Sequence, residues 1–230
     1  MSRLLQRETD KLKKQILTLG MKVEENVHAV VKAVNCRSAE LAVRVISSDP
    51  HIDQIEVDLE EECLKILALY QPVAIDLRFI IAVLKINNDL ERIGDLTVNI
   101  AERGEFLSRQ KQIDIPFDFL GMAEKVQAML RESLDSLVNM DADLAYRVCA
   151  ADDEVDAINR EMYRQVGKEM RKNPGRIDCL IHLLGISRDL ERIADYATNI
   201  AEDVIYMIQG DIVRHQAEKY AVKRKANSHS

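Results

Sequence analysis

The chain has 230 residues, with 32 Lys and Arg against 39 Asp and Glu, a formal net charge of −7. At 47% apolar and 31% charged residues it can bury a core, and 8 Gly, 4 Pro and 4% aromatics speak against a turn-rich β-sandwich. The longest apolar run, Phe79 to Leu84, is far short of the roughly 20 residues that span a bilayer, and an acidic balance is poor footing for nucleic acid, so a cytoplasmic all-α protein with no membrane insertion and no nucleic-acid partner is expected.

The first residues, MSRLLQRETDKLKKQ, alternate charge and lack the apolar block of a signal peptide. Apolar periodicity then predicts helices over about 5–34, 38–70 and 74–107. The second is expected to kink or break at Asp49-Pro50, with Asp49 as an N-cap and Pro50 in the first turn of the segment after it. Gln71-Pro72 marks the turn into the third helix. Residues 104–121 break the periodicity and contain Pro116, which places a linker at 109–116 between a first domain, 1–108, and a second, 117–230. Helices are predicted in the second domain over about 118–140, 142–171 and 175–209, with Asn173-Pro174 at the last turn and a basic tail, AVKRKANSHS, read as a solvated end. Asp76 and Asp178 fall in the first turn of the third and sixth helices, where the helix dipole favours them. Cys36, Cys63, Cys149 and Cys179 are scattered without a CxxC pair and read as small core residues of a reducing compartment.

The two halves repeat each other. NDLERIGDLTVNIAE (88–102) returns as RDLERIADYATNIAE (188–202), with ten of fourteen positions identical from Asp89 to Glu102. SAELAVRV returns as DADLAYRV, and QPVAID as NPGRID, in the same order. The repeat implies an architecture of two tandem, pseudo-symmetric three-helix bundles. Ile86, Leu90, Ile93, Thr97 and Ile100, with Ile186, Leu190, Ile193, Ala197 and Ile200, form matching core stripes.

The opposite face of the repeated helix is acidic. At 100° per residue Glu91, Asp95 and Glu102 lie within about 40° of one another, with Asn99 a little to one side, and Glu191, Asp195, Glu202 and Asn199 reproduce the set. Asp49, Asp53, Glu56 and Glu60 share a line on the preceding helix, matched by Asp152, Asp156, Asn159 and Tyr163. Like charges one turn apart destabilise a helix unless a cation neutralises them. Two such helices side by side supply oxygen ligands for hard cations such as Fe3+, Mn2+, Mg2+ or Ca2+, and suit structural zinc less well. A solvated acidic face is the competing reading. Arg92 and Arg192 read as ion-pair partners of carboxylates on a neighbouring helix, and Arg78, without a counterpart, as a surface or interhelical residue. Glu25-Asn26-Val27-His28 is a single ExxH, where di-iron bundles use two. No nucleophile elbow, phosphate loop or zinc-protease motif occurs, so no catalytic residue and no enzyme is expected.

Paired LERIGD…NIAE and LERIAD…NIAE segments, preceded by QPVAIDLR, resemble the PhoU family of phosphate-transport accessory and regulatory proteins, from about Leu19 to Glu202. The resemblance implies two spectrin-repeat-like helical bundles. It also implies multinuclear iron, zinc, manganese or magnesium clusters held by Asp49/Asp53 with Glu91/Asp95 and by Asp152/Asp156 with Glu191/Asp195, extended by Asn99, Glu102, Asn199 and Glu202. As partners it implies the ATPase of the phosphate ABC transporter and the phosphate sensor histidine kinase, with damping of phosphate-starvation signalling by a homodimer. A carboxylate-bridged di-metal oxidase and a metal-free helical adaptor are the alternatives.

Overall fold

The computed structural model describes residues 3–111 and 118–210. Six α-helices and one short 3-10 turn account for them: α1 (Arg3–Cys36), α2 (Ala39–Tyr70), α3 (Ala74–Ser108), α4 (Phe119–Asn139), α5 (Ala142–Lys172), the 3-10 turn Pro174–Arg176, and α6 (Ile177–Gln209). The fold is all-α, in two runs of three helices.

Local chemistry sets the helix ends. The Ser38 hydroxyl accepts from the Leu41 amide, the Asp118 carboxylate from Gly121 and the Asp141 carboxylate from Leu144, each satisfying an amide that has no partner inside its helix. Asp76 and Asp178 stand in the first turns of α3 and α6 as expected. α2 closes on Gln71 at φ 45° and α6 on Gly210 at φ 79°, left-handed positions that turn the chain out of the helix.

α2 is not broken at Pro50, and Asp49 is not a cap. The helix runs unbroken from Ala39 to Tyr70, so Asp49 lies inside it and Ser38 is its N-cap. Val45, Ile52, Leu59 and Ile66 recur every seven residues and are all buried, a face continuous across the proline that holds both segments on the same core. The cysteine reading also needs correcting. Cys63 and Cys149 are buried and Cys179, in the first turn of α6, is half-buried and packs against the edge of the core, but Cys36 is exposed at the last residue of α1.

All ten residues of the two core stripes on α3 and α6 are buried. They belong to one apolar core that draws on all six helices, from Leu5 to Met207. The most extensive helix pairing joins α3 to α6, one from each half, and α1 also meets α4. There Gly20 brings α1 so near that a Cβ would lie 2.8 Å from Leu134 Cδ2. Along α3 and α6 the Lys85 ammonium meets the Asp203 carboxylate at 2.8 Å, and Arg103 Nε meets Asp189 at 3.2 Å. Phe106 stacks on His182 with ring centroids 3.9 Å apart, and the Arg78 guanidinium lies beside Gly210. Residue numbers rise on α3 as they fall on α6, so the two helices are antiparallel. Arg78 is thereby an interhelical residue. Most of the 109–116 segment and the basic tail lie outside the described residues.

Candidate functional site: two acidic stripes

In the first half α2 and α3 bring their acids within electrostatic reach. Partial burial raises the Asp49 carboxyl above its ordinary range, and the charges of Asp53 on its own helix and Asp95 on α3 raise it further. Burial also raises Glu91, reinforced by Asp95, Glu56 and Asp53 against the lowering effect of Arg92. Glu56 is raised in the same way, with Glu60 and Asp53 as the charges beside it. The helices approach closely at Gly94, where a Cβ would lie 3.3 Å from Ile52 Cγ2, a tight contact, and 3.8 Å from Asp49 Oδ1, an ordinary one; the counterpart in the second half is Ala194. Asp49 Oδ1 is buried and accepts no hydrogen bond. Asn87 braces the stripe by donating to the backbone carbonyl of Glu56 at 3.0 Å and to its carboxylate at 3.1 Å.

The second half repeats the arrangement, with Asp152 and Asp195 raised further. Burial, then the charges of Asp195, Asp156 and Asp153, push the Asp152 carboxyl up to about 6. Asp195, on a more open surface, reaches about 6 by partial desolvation and then the charges of Glu191 and Asp156. Glu191 is raised by burial, Asp156 and Asp152. The Thr198 hydroxyl faces Asp152 and opposes its rise, but closes no hydrogen bond of ordinary length. Here Ser187 donates to Asn159 at 2.8 Å, the counterpart of the Asn87–Glu56 brace. Glu202 is buried and helps push the neighbouring Cys149 thiol up to about 12, behind burial itself.

Eight of the twelve sequence-predicted residues, Asp49, Asp53, Glu91 and Asp95 with Asp152, Asp156, Glu191 and Asp195, thus form two sets of mutually repelling carboxylates. Asn99, Asn199 and Glu102 are exposed, while Glu202 is enclosed on the α5 side. Arg92 makes its closest ion pairs within its own helix, with Glu91 at 3.4 Å and Asp95 at 3.5 Å, and its charge also reaches Glu56 on the neighbouring α2. His28 lies 4.0 Å from Glu24, not beside the Glu25 of its ExxH. The braces Asn87 and Ser187 escape a reading of the sequence, although each stands one turn before Glu91 or Glu191, where a side chain faces the same partner helix.

Among the described residues no three His, Cys, Asp or Glu side chains close around one point. The donor set nevertheless fits a hard cation: it is all oxygen, its like charges raise one another, and Asp49 Oδ1 is a buried acceptor with no donor. The PhoU domain model matches the chain twice, over residues 16–104 and 119–204, so that each match contains one stripe. The chain belongs to the PhoU family. It is 38% identical over 210 residues, 91% of this chain and 95% of the relative, to the phosphate-specific transport system accessory protein PhoU homolog of Aquifex aeolicus. To that of Pseudomonas aeruginosa it is 37% identical over 209 residues, 90% and 86% of the two chains. The crystal structure of PhoU from Pseudomonas aeruginosa superposes with a TM-score of 0.86 at 36% identity, covering 90% of this chain and 99% of that one. The phosphate transport system regulatory protein PhoU of Streptococcus pneumoniae gives 0.83 at 28%, covering 91% and 99%. These PhoU relatives are named as accessory or regulatory proteins, not as enzymes.

Proposed function

We propose that this PhoU-family chain is a non-enzymatic accessory protein of a phosphate-specific transport system. The observation that supports it most is the duplicated family match across nearly the whole chain, to relatives named for that system. The finer reading is a cytoplasmic negative regulator that restrains the ATPase of the phosphate ABC transporter and its sensor histidine kinase, as a homodimer. No helix among the described residues is long and apolar enough to cross a membrane. Deleting the gene is expected to derepress phosphate-starvation genes in phosphate-rich medium. Unchanged expression counts against the regulatory reading.

The two stripes are proposed to hold metal ions, iron, manganese, zinc or magnesium, through Asp49, Asp53, Glu91 and Asp95 and through Asp152, Asp156, Glu191 and Asp195. Asn99, Glu102, Asn199 and Glu202 are proposed at the margins. A bound cation would supply positive charge that removes the repulsion between these carboxylates. The chain's own part is to hold α2 against α3 and α5 against α6, with Asn87 and the Ser187–Asn159 pair bracing the approach. Metal analysis of tag-free protein should find at least one ion per chain, and added Fe3+, Mn2+ or Mg2+ should raise the Tm. Less than one ion, with no thermal shift, favours the metal-free adaptor, a reading supported by the absence of a closed three-ligand group among the described residues.

A further inference from the structure

One pole of the molecule joins exposed apolar side chains to a concentration of positive charge. Lys11 of α1 pairs with Glu62 of α2 at 3.4 Å, and Asn26 donates to Ser48 at 2.9 Å, so the two helices run antiparallel. Two turns beyond that ion pair on each helix stand Leu4 and Leu69, both exposed, Leu69 to 66%. The α2–α3 turn lies at the same pole and adds Val73 at 73%, Ile75 at 58% and the exposed Leu77. α4 closes against α1 at Lys13, whose ammonium donates to the Val138 carbonyl at 3.4 Å. Leu4 stands two to three turns, about 14 Å of helix, beyond that point. α6 ends at Gly210 beside Arg78, so Val73 and Ile75 lie past its last turn. The tip therefore projects from the bundle.

Nothing in the turn itself calls for these residues. α2, α4 and α5 begin after Ser38, Asp118 and Asp141, whose side chains cap them, whereas α3 follows Val73, which makes no capping bond. The repeat provides the comparison. Aligning QPVAID with NPGRID sets Leu69 against Arg171, Val73 against Gly175, Ile75 against Ile177 and Leu77 against Cys179. The second turn, at the opposite pole because α3 and α6 are antiparallel, thus keeps only the isoleucine. The cations are placed as unevenly. Residues 3–14 hold five Lys or Arg against two acids, with Arg3, Arg7 and Lys14 exposed. The chain leaves α6 at this pole, and residues 211–230 again hold five against two. Together the two segments carry +6 on a chain of −7, so the remainder carries −13. Of the acids near the tip, Asp76 lies in the first turn of α3, where the helix dipole favours it, and Glu62 is shared by Lys11 and Lys65. Glu60 and Glu61 stand more than two turns behind Leu69.

We propose that this pole is a peripheral contact for the surface of an anionic lipid bilayer. Leu69, Val73 and Ile75 enter the boundary between headgroups and acyl chains, and the cations behind them face the headgroup phosphates. A convex apolar tip with cations along the shaft behind it matches a partner that is apolar within and anionic at its face, the layering of a bilayer interface. An acidic protein surface would complement the cations but set its charges against the apolar tip. The contact is shallow: no helix among the described residues is long and apolar enough to cross a membrane, and a few apolar side chains with a basic patch give reversible attachment. The acidic remainder of the chain is repelled by the same surface, which orients the molecule with this pole towards it.

Co-sedimentation of the full chain with lipid vesicles tests this without any transporter present, so its outcome is independent of the phosphate-transport reading. At about 0.05 M NaCl, vesicles of phosphatidylcholine with roughly 30% phosphatidylglycerol should bind the chain at least tenfold more strongly than phosphatidylcholine alone, and about 0.5 M NaCl should remove the difference. Equal partitioning on the two, or none on either, overturns the proposal and leaves the pole to an acidic protein partner. Val73→Asp separates the tip from the fold. Aspartate is a better helix cap than valine, so the Tm should be held or raised, while a negative charge at the tip should cut binding roughly tenfold. Should that variant lower the Tm, Val73→Ser, which also caps, is read instead. Undiminished binding by the folded variant overturns entry of the tip. Ile177→Ser, at the opposite pole, should leave binding unchanged, and an equal loss there overturns the assignment to this pole.

Discussion

Asp152 shows how a single residue reports the condition of its stripe. Its carboxyl is pushed from an ordinary 3.8 up to about 6 by burial and by Asp195, Asp156 and Asp153. A carboxyl raised on folding binds protons more readily in the native chain than in the unfolded one. Stability is therefore greatest below the unfolded value, declines as pH rises from near 4 through about 6, and stays low above it. In metal-free buffer the Tm should be higher at pH 5.5 than at pH 7.5, and Asp152→Asn should flatten that slope. An unchanged slope in the variant would assign the pH dependence elsewhere.

At the scale of elements, Pro50 is the informative exception. A proline inside a helix removes one ladder hydrogen bond and costs about 3 kcal/mol relative to alanine. Pro50→Ala should therefore raise the urea midpoint, by stabilisation on the order of 1–3 kcal/mol, with helix content unchanged. A lower midpoint would mean that the proline's geometry is itself required for packing. The other helices are legible from apolar spacing and from capping residues such as Ser38 and Asp141, because both signals are local. Asp49-Pro50 misleads because a cap-plus-proline signal is also local, whereas the seven-residue burial of Val45, Ile52 and Leu59 is imposed by the helices that pack on α2. The acid stripes are readable for the same reason that the helices are. Asn87 and Ser187 are not, since their partners lie 31 and 28 residues away on another helix, a relation that intrahelical spacing does not contain. Lys85 and Arg103 look like ordinary surface cations until α6 is laid against them.

At the scale of the molecule, the repeated sequence suggests two bodies but the packing makes one core. Ile86 and Ile100 of α3 and Ile186 and Ile200 of α6 are fully buried in the same apolar cluster. Unfolding should accordingly be a single cooperative transition, with circular dichroism and calorimetry giving the same enthalpy. Two resolved transitions would show that the halves melt separately. The seam between them has a consequence for ionic strength. The Lys85–Asp203 and Arg103–Asp189 pairs cancel, so the formal −7 of the chain resides outside them, largely among charges that water and salt can reach. Added salt shortens the range of repulsion between exposed acids, to about 10 Å at 0.1 M, but penetrates little to pairs as enclosed as Asp189. Raising NaCl from roughly 0.01 to 0.5 M should therefore increase the Tm. A decrease would mean that exposed ion pairs, not the seam, are the principal electrostatic support. In an acidic chain whose interhelical seam pairs are enclosed, salt is expected to act as a stabiliser.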